Sequence, residues 1–410
     1  MEKLKTRVFF AFLLGAIAGL FIYSISNNES VRVMEFIDYG IYGYKFYVFF
    51  IQVLMLPMIV FATINATKML IHGLENSTIG FYTLRNFITT TVFAITFSTL
   101  YSQWIQRYAP VDISVVTRYT NGLMSRGFEL VHLGHRTEIM RHVITPQIVM
   151  GALVLSVLIG YMSKRPNRLF SVELDAFFKR SQRKLSDVLD MVIRLIYIPV
   201  FIYVMTVFGL VGIKSFAAAI FYAVGMTVAL LIFGGLMYGA LIKLGTPVGL
   251  REMLKKIQPL AQVISKTSSS TEVLPVTIST VVNKFNVDEK IADFVLRLGQ
   301  NMNRDGTAIM QCFSAIVMAK FYGVTLGWPE MIGIIGLTFL LAQGSFNIPY
   351  DGILTLSIIF YVIGIPVEGI FLILGVDKGI EIIRIVINVS GDIITALLVE
   401  HWCLKNKKEL

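Results

Sequence analysis

Cysteine is scarce in this chain of 410 residues, which has only Cys312 and Cys403. The two lie far apart and form no CxxC pair, so neither a disulfide framework nor a zinc site organises the fold. We interpret both as ordinary small apolar residues. The motifs HExxH and GxSxG are absent, and the Ser, Asp and Glu candidates offer no plausible nucleophile and base. These absences argue against an enzyme.

Charge is also scarce, because only 15% of the residues are charged while 55% are hydrophobic and the mean hydropathy is +0.72. This balance excludes a soluble enzyme of the same length and predicts a protein of the bilayer. The net charge of +10 could indicate nucleic acid as a partner. The basic residues fall in short clusters between hydrophobic runs, however, so we interpret them as signals of membrane topology and expect no nucleic acid.

Six hydrophobic runs have about the length that a bilayer requires. Basic clusters at 164–168, 179–184 and 251–256, together with Lys3, Lys5 and Arg7, predict that the amino terminus is cytoplasmic, and alternation places the carboxyl terminus on the same side. We therefore expect a multi-pass protein of the cytoplasmic membrane in contact with lipid. The predicted spans are Val8 to Ser24, Tyr44 to Ala66, Phe87 to Ile105, Ile148 to Met162, Val188 to Leu210 and Phe216 to Leu244.

A mixed connection at 107–145 contains His132, His135, Glu138 and His142, whose spacing could bring several metal ligands to one face of a helix. Charges of both signs surround them, which favours a solvated or headgroup-level amphipathic segment over a metal site. We expect no metal beyond a coupling ion.

Two apolar segments in the second half are interrupted by Ser, Gly or Pro, and each is followed by a helix that carries polar residues. The interruptions are SKTSSSTEVLPVT at 265–277 and LAQGSFNIPYDG at 341–352. This plan is typical of transporters with inverted repeats, in which two hairpins enter the membrane from opposite sides and their tips meet at its midplane.

The last apolar run carries four polar residues with spacings of 3, 4 and 4, namely Glu381, Arg384, Asn388 and Asp392. All four therefore lie on one face of a helix otherwise rich in Ile and Val. An internal ion pair between Glu381 and Arg384 is one reading. We favour a binding site, because ionisable residues within a membrane are usually functional. The expected ligand is a small anion, because a guanidinium suits a carboxylate.

The stretch NMNRDGTAIM at 301–310 places Asn303, Asp305 and Thr307 beside a glycine that would let the helix unwind. Their oxygens suit a sodium ion or a proton, although Asp305 could instead be no more than a protonated buried acid. Arg304 either acts as a built-in cation near Asp305, Asp392 and Glu381, or turns away toward the cytoplasmic surface. We favour the first reading, in which binding depends little on sodium.

At these residues the sequence resembles the dicarboxylate/amino acid:cation symporter family, which includes glutamate transporters, over nearly the whole chain. The resemblance rests on four stretches. They are TSSSTEVLP in the first hairpin, NRDGTA where the family has NMDGTA, RIVINVSGD in the last helix, and FIQVLMLPMIVFATINA at 50–66.

The resemblance implies an all-α multi-pass membrane protein with eight transmembrane helices plus two re-entrant helical hairpins in inverted repeats. It also implies a homotrimer and an elevator mechanism, with no organic cofactor and with Na⁺ or H⁺ as the coupling ion. The implied organisation has scaffold spans one and two at 1–80 and spans four and five at 146–212. The transport domain would comprise span three at 81–110 and residues 213–410, with spans six to eight and hairpins at about 257–288 and 330–365.

The resemblance also assigns roles to residues. The implied substrate site comprises Arg384, Asn388, Glu381, Thr307, Ser269, Ser270, Ile348 and Gly352. Glu381 could receive a substrate ammonium or neutralise Arg384, and we favour the ammonium role. The implied cation site comprises Thr90, Thr91, Asn303, Asp305 and Asp392, with backbone carbonyls near Gly299 and Asn388. Arg304 is the candidate replacement for the cation.

The sequence departs from the family at three places. Glu381 stands where amino acid transporters have Asp, Arg304 stands where the family has Met, and the second hairpin tip carries Phe346, Asn347, Tyr350 and Asp351. We expect a secondary active transporter of a small anionic substrate, which is an acidic amino acid or a C4-dicarboxylate. The alternatives are an uncoupled facilitator or anion channel of the same fold, or a transporter of neutral amino acids or cystine.

Overall fold

The structure is a computed structural model and describes residues 2–26, 31–76, 78–110, 113–116, 118–119, 145–162, 168–267, 270–342 and 350–408. Within these ranges the secondary structure is helical and contains no β-strand. The predicted all-α class is therefore confirmed. The proposed histidine segment with His132, His135, Glu138 and His142 lies outside the described residues.

Fifteen α-helices are described in these ranges, joined in places by short helical turns of other types. The first eight are α1 (Glu2–Ser26), α2 (Val31–Asn76), α3 (Thr78–Ile105), α4 (Pro146–Met162), α5 (Arg168–Ile193), α6 (Tyr197–Val211), α7 (Lys214–Phe233) and α8 (Gly239–Gly245). The rest are α9 (Leu250–Thr267), α10 (Ser270–Phe285), α11 (Glu289–Met302), α12 (Asp305–Phe321), α13 (Trp328–Ala342), α14 (Asp351–Ile363) and α15 (Ile370–Lys408).

Four helical stretches are long and apolar enough to cross a membrane, by length and composition alone. They are Lys3–Ile25, Asp38–Lys68, Lys214–Gly245 and Val367–Leu404. A fifth is formed if Ala176–Ile193 and Tyr197–Val211, which are bent by 48° relative to each other, make one span. Three shorter apolar helices, α4, α13 and α14, lie below that length. These findings indicate a membrane protein, whereas the number of eight spans stays a prediction.

The span predicted at Val188 to Leu210 is broken rather than continuous. Its two helices, α5 and α6, are separated at residues 194–196, where the amides of Leu195, Ile196 and Ile198 bond to carbonyls three residues earlier. Pro199 lies in the first turn of α6 and has no N–H with which to bond the carbonyl of Leu195. A proline clashes with the residue four positions before it, so the helix bends here.

The span predicted at Phe216 to Leu244 contains a π-helical turn at Gly234–Tyr238, between α7 and α8. A π-turn inserts an extra residue into the helix and rotates the side chains that follow. It leaves the phenol of Tyr238 buried and directed toward the start of α12.

The helices pack in two groups. In the first, α1 lies along α6, and α2 lies along α4 and α6. In the second, α12 packs against α3, and α15 packs against α7 and α11. Two pairs of consecutive helices, α9 with α10 and α13 with α14, also pack against each other, as two hairpins would.

Candidate functional site

The polar stretch that follows α11 interrupts the helix in the interior of the protein. Asn303 and Arg304 have non-helical backbone angles (φ −102° and ψ 79°; φ −117° and ψ 52°), and α12 starts immediately afterwards at Asp305. Asn303 and Asp305 are both buried. A helix break lined by buried polar side chains leaves backbone groups and side chains to be satisfied by each other or by a ligand.

Gly306 serves close packing rather than unwinding, which corrects the role that we expected for it. It lies in the first turn of α12, after the break, and its N–H donates to Asn388 Oδ1 of α15 at 2.8 Å. A Cβ at this position would lie 2.8 Å from the carbonyl oxygen of Arg384 and 3.0 Å from Asn388 Oδ1. The glycine thus lets the break lie directly against the polar face of α15.

Five of the predicted cation-site residues form one buried polar cluster, which comprises Thr90, Thr91, Asn303, Asp305 and Asp392. Thr90 donates to Asn303 Oδ1 at 3.3 Å and Thr91 donates to Asp305 Oδ1 at 3.0 Å. Asn303 Nδ2 in turn donates to Asp392 Oδ1 at 2.9 Å. Side chains of α3, the break and α15 thus converge here. Clustered hard oxygens of this kind suit a small cation or a proton.

Gly299 is the sixth predicted member and lies against the polar cluster. Its carbonyl accepts the N–H of Asn303 at 2.7 Å, and a Cβ there would lie 2.3 Å from Asp392 Oδ1. The absence of a side chain therefore leaves room for the Asp392 carboxylate.

Arg384 is buried and makes a bidentate ion pair within its own helix. Its Nη1 and Nη2 donate to Asp377 Oδ1 and Oδ2 at 2.9 and 3.1 Å. The partner is thus Asp377, two turns earlier, and not Glu381 as in the ion-pair alternative of the sequence analysis. A planar, bidentate contact of this kind is the geometry in which a guanidinium also binds a free carboxylate.

Glu381 pairs with a residue from the other end of the chain. Lys5 of α1 places its Nζ 2.5 Å from Glu381 Oε2, and both residues are buried. Lys5 is one of the basic residues that predict a cytoplasmic amino terminus, yet it is buried inside the protein. Sequence reasoning had no means to foresee this contact, because nothing in the first turns of α1 marks one lysine as different from its neighbours.

Arg304 makes an ion pair with Asp351, the first residue of α14. Its Nη2 lies 2.9 Å from Asp351 Oδ1, and the two side chains are 12% and 16% exposed. Asp351 Oδ1 also accepts the N–H of Gly352 at 2.7 Å. The partner of Arg304 is therefore a residue near the second hairpin tip, and the sequence motifs assign no role to it.

Three of the remaining predicted residues lie in described helices, namely Ser270 in α10, Thr307 in α12 and Gly352 in α14. Thr307 is buried, and a Cβ at Gly352 would lie 3.1 Å from Thr307 Cγ2, so the start of α14 packs directly on α12. Ser270 begins α10. Ser269 and Ile348 lie outside the described residues.

Sequence reasoning missed two other polar partners in this region. Asp377 precedes Glu381 by four residues and so continues the spacing of the polar face of α15, a signal that could have identified it. Tyr238 donates to Asp305 Oδ2 at 2.9 Å, but its position depends on the π-turn and is not readable from helical periodicity.

These features define an α-helical membrane protein with a buried, charged site built around a broken helix. Comparison with known proteins assigns it further: the sequence profile of the sodium:dicarboxylate symporter family matches residues 4–402. The chain belongs to this family, and the resemblance read from its motifs is confirmed.

Individual relatives match over parts of the chain. Excitatory amino acid transporter 5 of Mus musculus is 31% identical over 186 residues, which are 45% of this chain and 33% of that protein. Neutral amino acid transporter B(0) of Mus musculus is 36% identical over 149 residues, 36% of this chain and 27% of that protein. An excitatory amino acid transporter of Caenorhabditis elegans is 33% identical over 136 residues, 33% of this chain and 27% of that protein. The chain therefore spans about a third or less of the length of these curated relatives.

Proposed function

We propose that the chain is a secondary active transporter that moves a small anionic substrate across the cytoplasmic membrane, and that Arg384 binds the substrate carboxylate. The observation that carries the proposal is the buried guanidinium of Arg384, held in bidentate geometry by Asp377 beside the break before α12. A guanidinium has five N–H donors, so Arg384 can bind a substrate carboxylate while it stays paired with Asp377. The family and the names of its relatives support transport as the activity.

In this proposal the other residues of the predicted site surround the substrate. The side chain of Asn388 already reaches the start of α12, and Gly352 of α14 packs against Thr307 of α12. Ser269, Ser270 and Ile348 would complete the site from the two hairpin tips. The substrate is an acidic amino acid such as aspartate or glutamate, or a C4-dicarboxylate.

The buried polar cluster is the proposed site of the coupling ion, which is Na⁺ or H⁺. Its oxygens come from three separate parts of the chain, so an ion bound there would link the break, α3 and α15. Arg304 lies between Asn303 and Asp305 in the chain, and its guanidinium supplies a positive charge that is paired with Asp351. We propose that this charge weakens or replaces the dependence on sodium.

The two packing groups support an elevator mechanism. The proposed scaffold comprises spans one, two, four and five, which correspond to α1, α2, α4 and α5 with α6. The proposed transport domain comprises span three at α3 and spans six to eight, together with the hairpins α9–α10 and α13–α14. The scaffolds of three chains would associate in the lipid bilayer to form a homotrimer. Each chain would have eight spans in total and both termini in the cytoplasm.

One observation favours a second candidate function. If the ion pair of Arg304 with Asp351 fills the place of a transported cation, the protein would be an uncoupled facilitator or anion channel of the same fold. Similarity to a neutral amino acid transporter keeps neutral substrates, including cystine, among the ligands to test. Concentrative uptake into proteoliposomes separates the two functions, since a facilitator only equilibrates its substrate.

Substrate binding tests the proposal directly. The purified protein is heated with succinate, malate, aspartate, glutamate, serine or cystine, because a ligand of the folded state raises the apparent Tm. In Arg384→Ala, the binding of the anionic ligand should weaken by roughly 2–5 kcal/mol, since a buried carboxylate loses its charged partner. Arg297→Ala is the matched control, because Arg297 is 63% exposed and pairs only one turn away with Asp293 at 2.7 Å. An unchanged affinity in Arg384→Ala would contradict the assignment.

A further inference from the structure

The buried ion pair between Lys5 and Glu381 joins the first helix to the last, beside the proposed substrate-binding arginine. The two side chains are 4% and 9% exposed, and Lys5 Nζ lies 2.5 Å from Glu381 Oε2. Thr6 follows Lys5 on α1, and its Oγ1 accepts a hydrogen bond at 3.3 Å from the Nζ of Lys378, which lies three residues before Glu381 on α15. This contact also ties α1 to α15. The ammonium of Lys5 is therefore held at this position by the packing of the two helices and is not a freely moving side chain.

Four charged groups meet in this part of the protein, two positive and two negative. Arg384 is compensated by Asp377, and Glu381 is compensated by Lys5. Buried charges are stable only when they are paired, so removal of one partner leaves the other at a high cost. The lysine thus determines how Glu381 behaves toward a ligand that arrives beside Arg384.

An amino acid and a dicarboxylate differ in how they would interact with Glu381. A substrate ammonium needs a carboxylate, but the carboxylate one turn before Arg384 already carries an ammonium from Lys5. To bind there, the substrate would have to displace the Lys5 ammonium from its buried contact with Glu381, which costs the energy of that ion pair. A dicarboxylate has no such need, and it benefits because Lys5 removes the repulsion that an unpaired Glu381 would exert on it.

We propose that Lys5 is a specificity-determining residue that fills the ammonium position at Glu381, so that the site selects amine-free dicarboxylates over acidic amino acids. This inference rests on the proposed function, because it assumes that an anionic substrate binds beside Arg384. It narrows the substrate to one class and gives a role to a helix that lies in the proposed scaffold.

A double-mutant cycle at Lys5 and Glu381 tests the proposal, with succinate and aspartate as the probes. Their affinities are measured by calorimetry on the full chain in detergent, for the wild type, Lys5→Met, Glu381→Gln and the double variant. The wild type should prefer succinate. Lys5→Met should shift the ratio of the two affinities at least about tenfold toward aspartate, because it exposes an uncompensated carboxylate. The double variant should return the ratio toward that of the wild type, because both charges are then gone.

The controls separate specificity from simple loss of structure. Lys3→Met is the matched variant, because Lys3 lies on the same helix and is exposed; it should leave the ratio unchanged. If Lys5→Met does not fold, Glu381→Gln alone remains decisive. Here the proposal expects the preference for succinate to persist, whereas a selective loss of aspartate binding would overturn it.

Two other outcomes would overturn the proposal, namely a wild type that prefers aspartate and a Lys5→Met variant with an unchanged ratio. Failure of the proposed function looks different. In that case neither succinate nor aspartate binds to the wild type, or Arg384→Ala binds both as well as the wild type does.

Discussion

The ion pair of Arg304 with Asp351 offers a direct test of why a charged residue lies in the break between α11 and α12. We consider Arg304→Met, which keeps a long side chain but removes the charge. In this variant the carboxylate of Asp351, which is 16% exposed, loses its ion pair with Arg304. It keeps the hydrogen bond from the N–H of Gly352 at 2.7 Å. The start of α14 would then lose an electrostatic tie to the break.

The expected magnitude follows from the exposure of the pair. Breaking a fully buried ion pair costs about 3–5 kcal/mol, whereas an exposed pair contributes about 0–1 kcal/mol. With side chains that are 12% and 16% exposed, the pair lies between these limits. We expect Arg304→Met to lower the free energy of unfolding by about 2 kcal/mol, and Asp351→Asn to lower it by a similar amount.

A double-mutant cycle isolates the pair from other effects of each substitution. Chemical unfolding in mild detergent is measured for the wild type, the two single variants and the double variant. The double variant should lose less than the sum of the single losses, with a coupling of at least about 1 kcal/mol. Additive losses would refute the ion pair as a stabilising contact.

The same variants test the proposed relation to sodium. Substrate affinities of the wild type in sodium, potassium and choline salts should agree within a few-fold, while Arg304→Met should bind more tightly in sodium. The reason is that two unit charges about 4 Å apart interact by several kcal/mol at the effective dielectric of a protein, enough to decide whether a cation binds. A wild type that binds substrate only in sodium would contradict the proposed role of Arg304.

Two further variants test the geometry around the break. Tyr238→Phe removes a hydroxyl that donates to the buried Asp305 carboxylate, so it should destabilise the protein by about 1–3 kcal/mol, and an unchanged unfolding curve would count against this contact. Gly306→Ala would place a methyl group 2.8 Å from the carbonyl oxygen of Arg384, and it should cost about 1–3 kcal/mol and weaken substrate binding. Gly336→Ala is its control, because a Cβ there would meet no atom within 4 Å; equal effects of the two alanines would contradict the packing argument.

The sequence by itself determined the class of fold and most of the polar positions. Scarce charge and long apolar runs required a membrane protein, because such a chain cannot cover its apolar surface in water. The regular spacing of Glu381, Arg384, Asn388 and Asp392 required one face of a helix, because helical periodicity is a local property of the chain. The motif around Asp305 indicated a break for similar local reasons, and the structure has one there.

Only the tertiary structure decided which of these groups pair with each other. Periodicity places Arg384 and Glu381 on one face, but it cannot tell that the first pairs with Asp377 and the second with Lys5. Nor can it show that Arg304 meets Asp351, or that a π-turn brings Tyr238 to Asp305. These partners come from separate helices or depend on a local irregularity. They are selected by how the helices pack and by the need to compensate each buried charge, which no local pattern records.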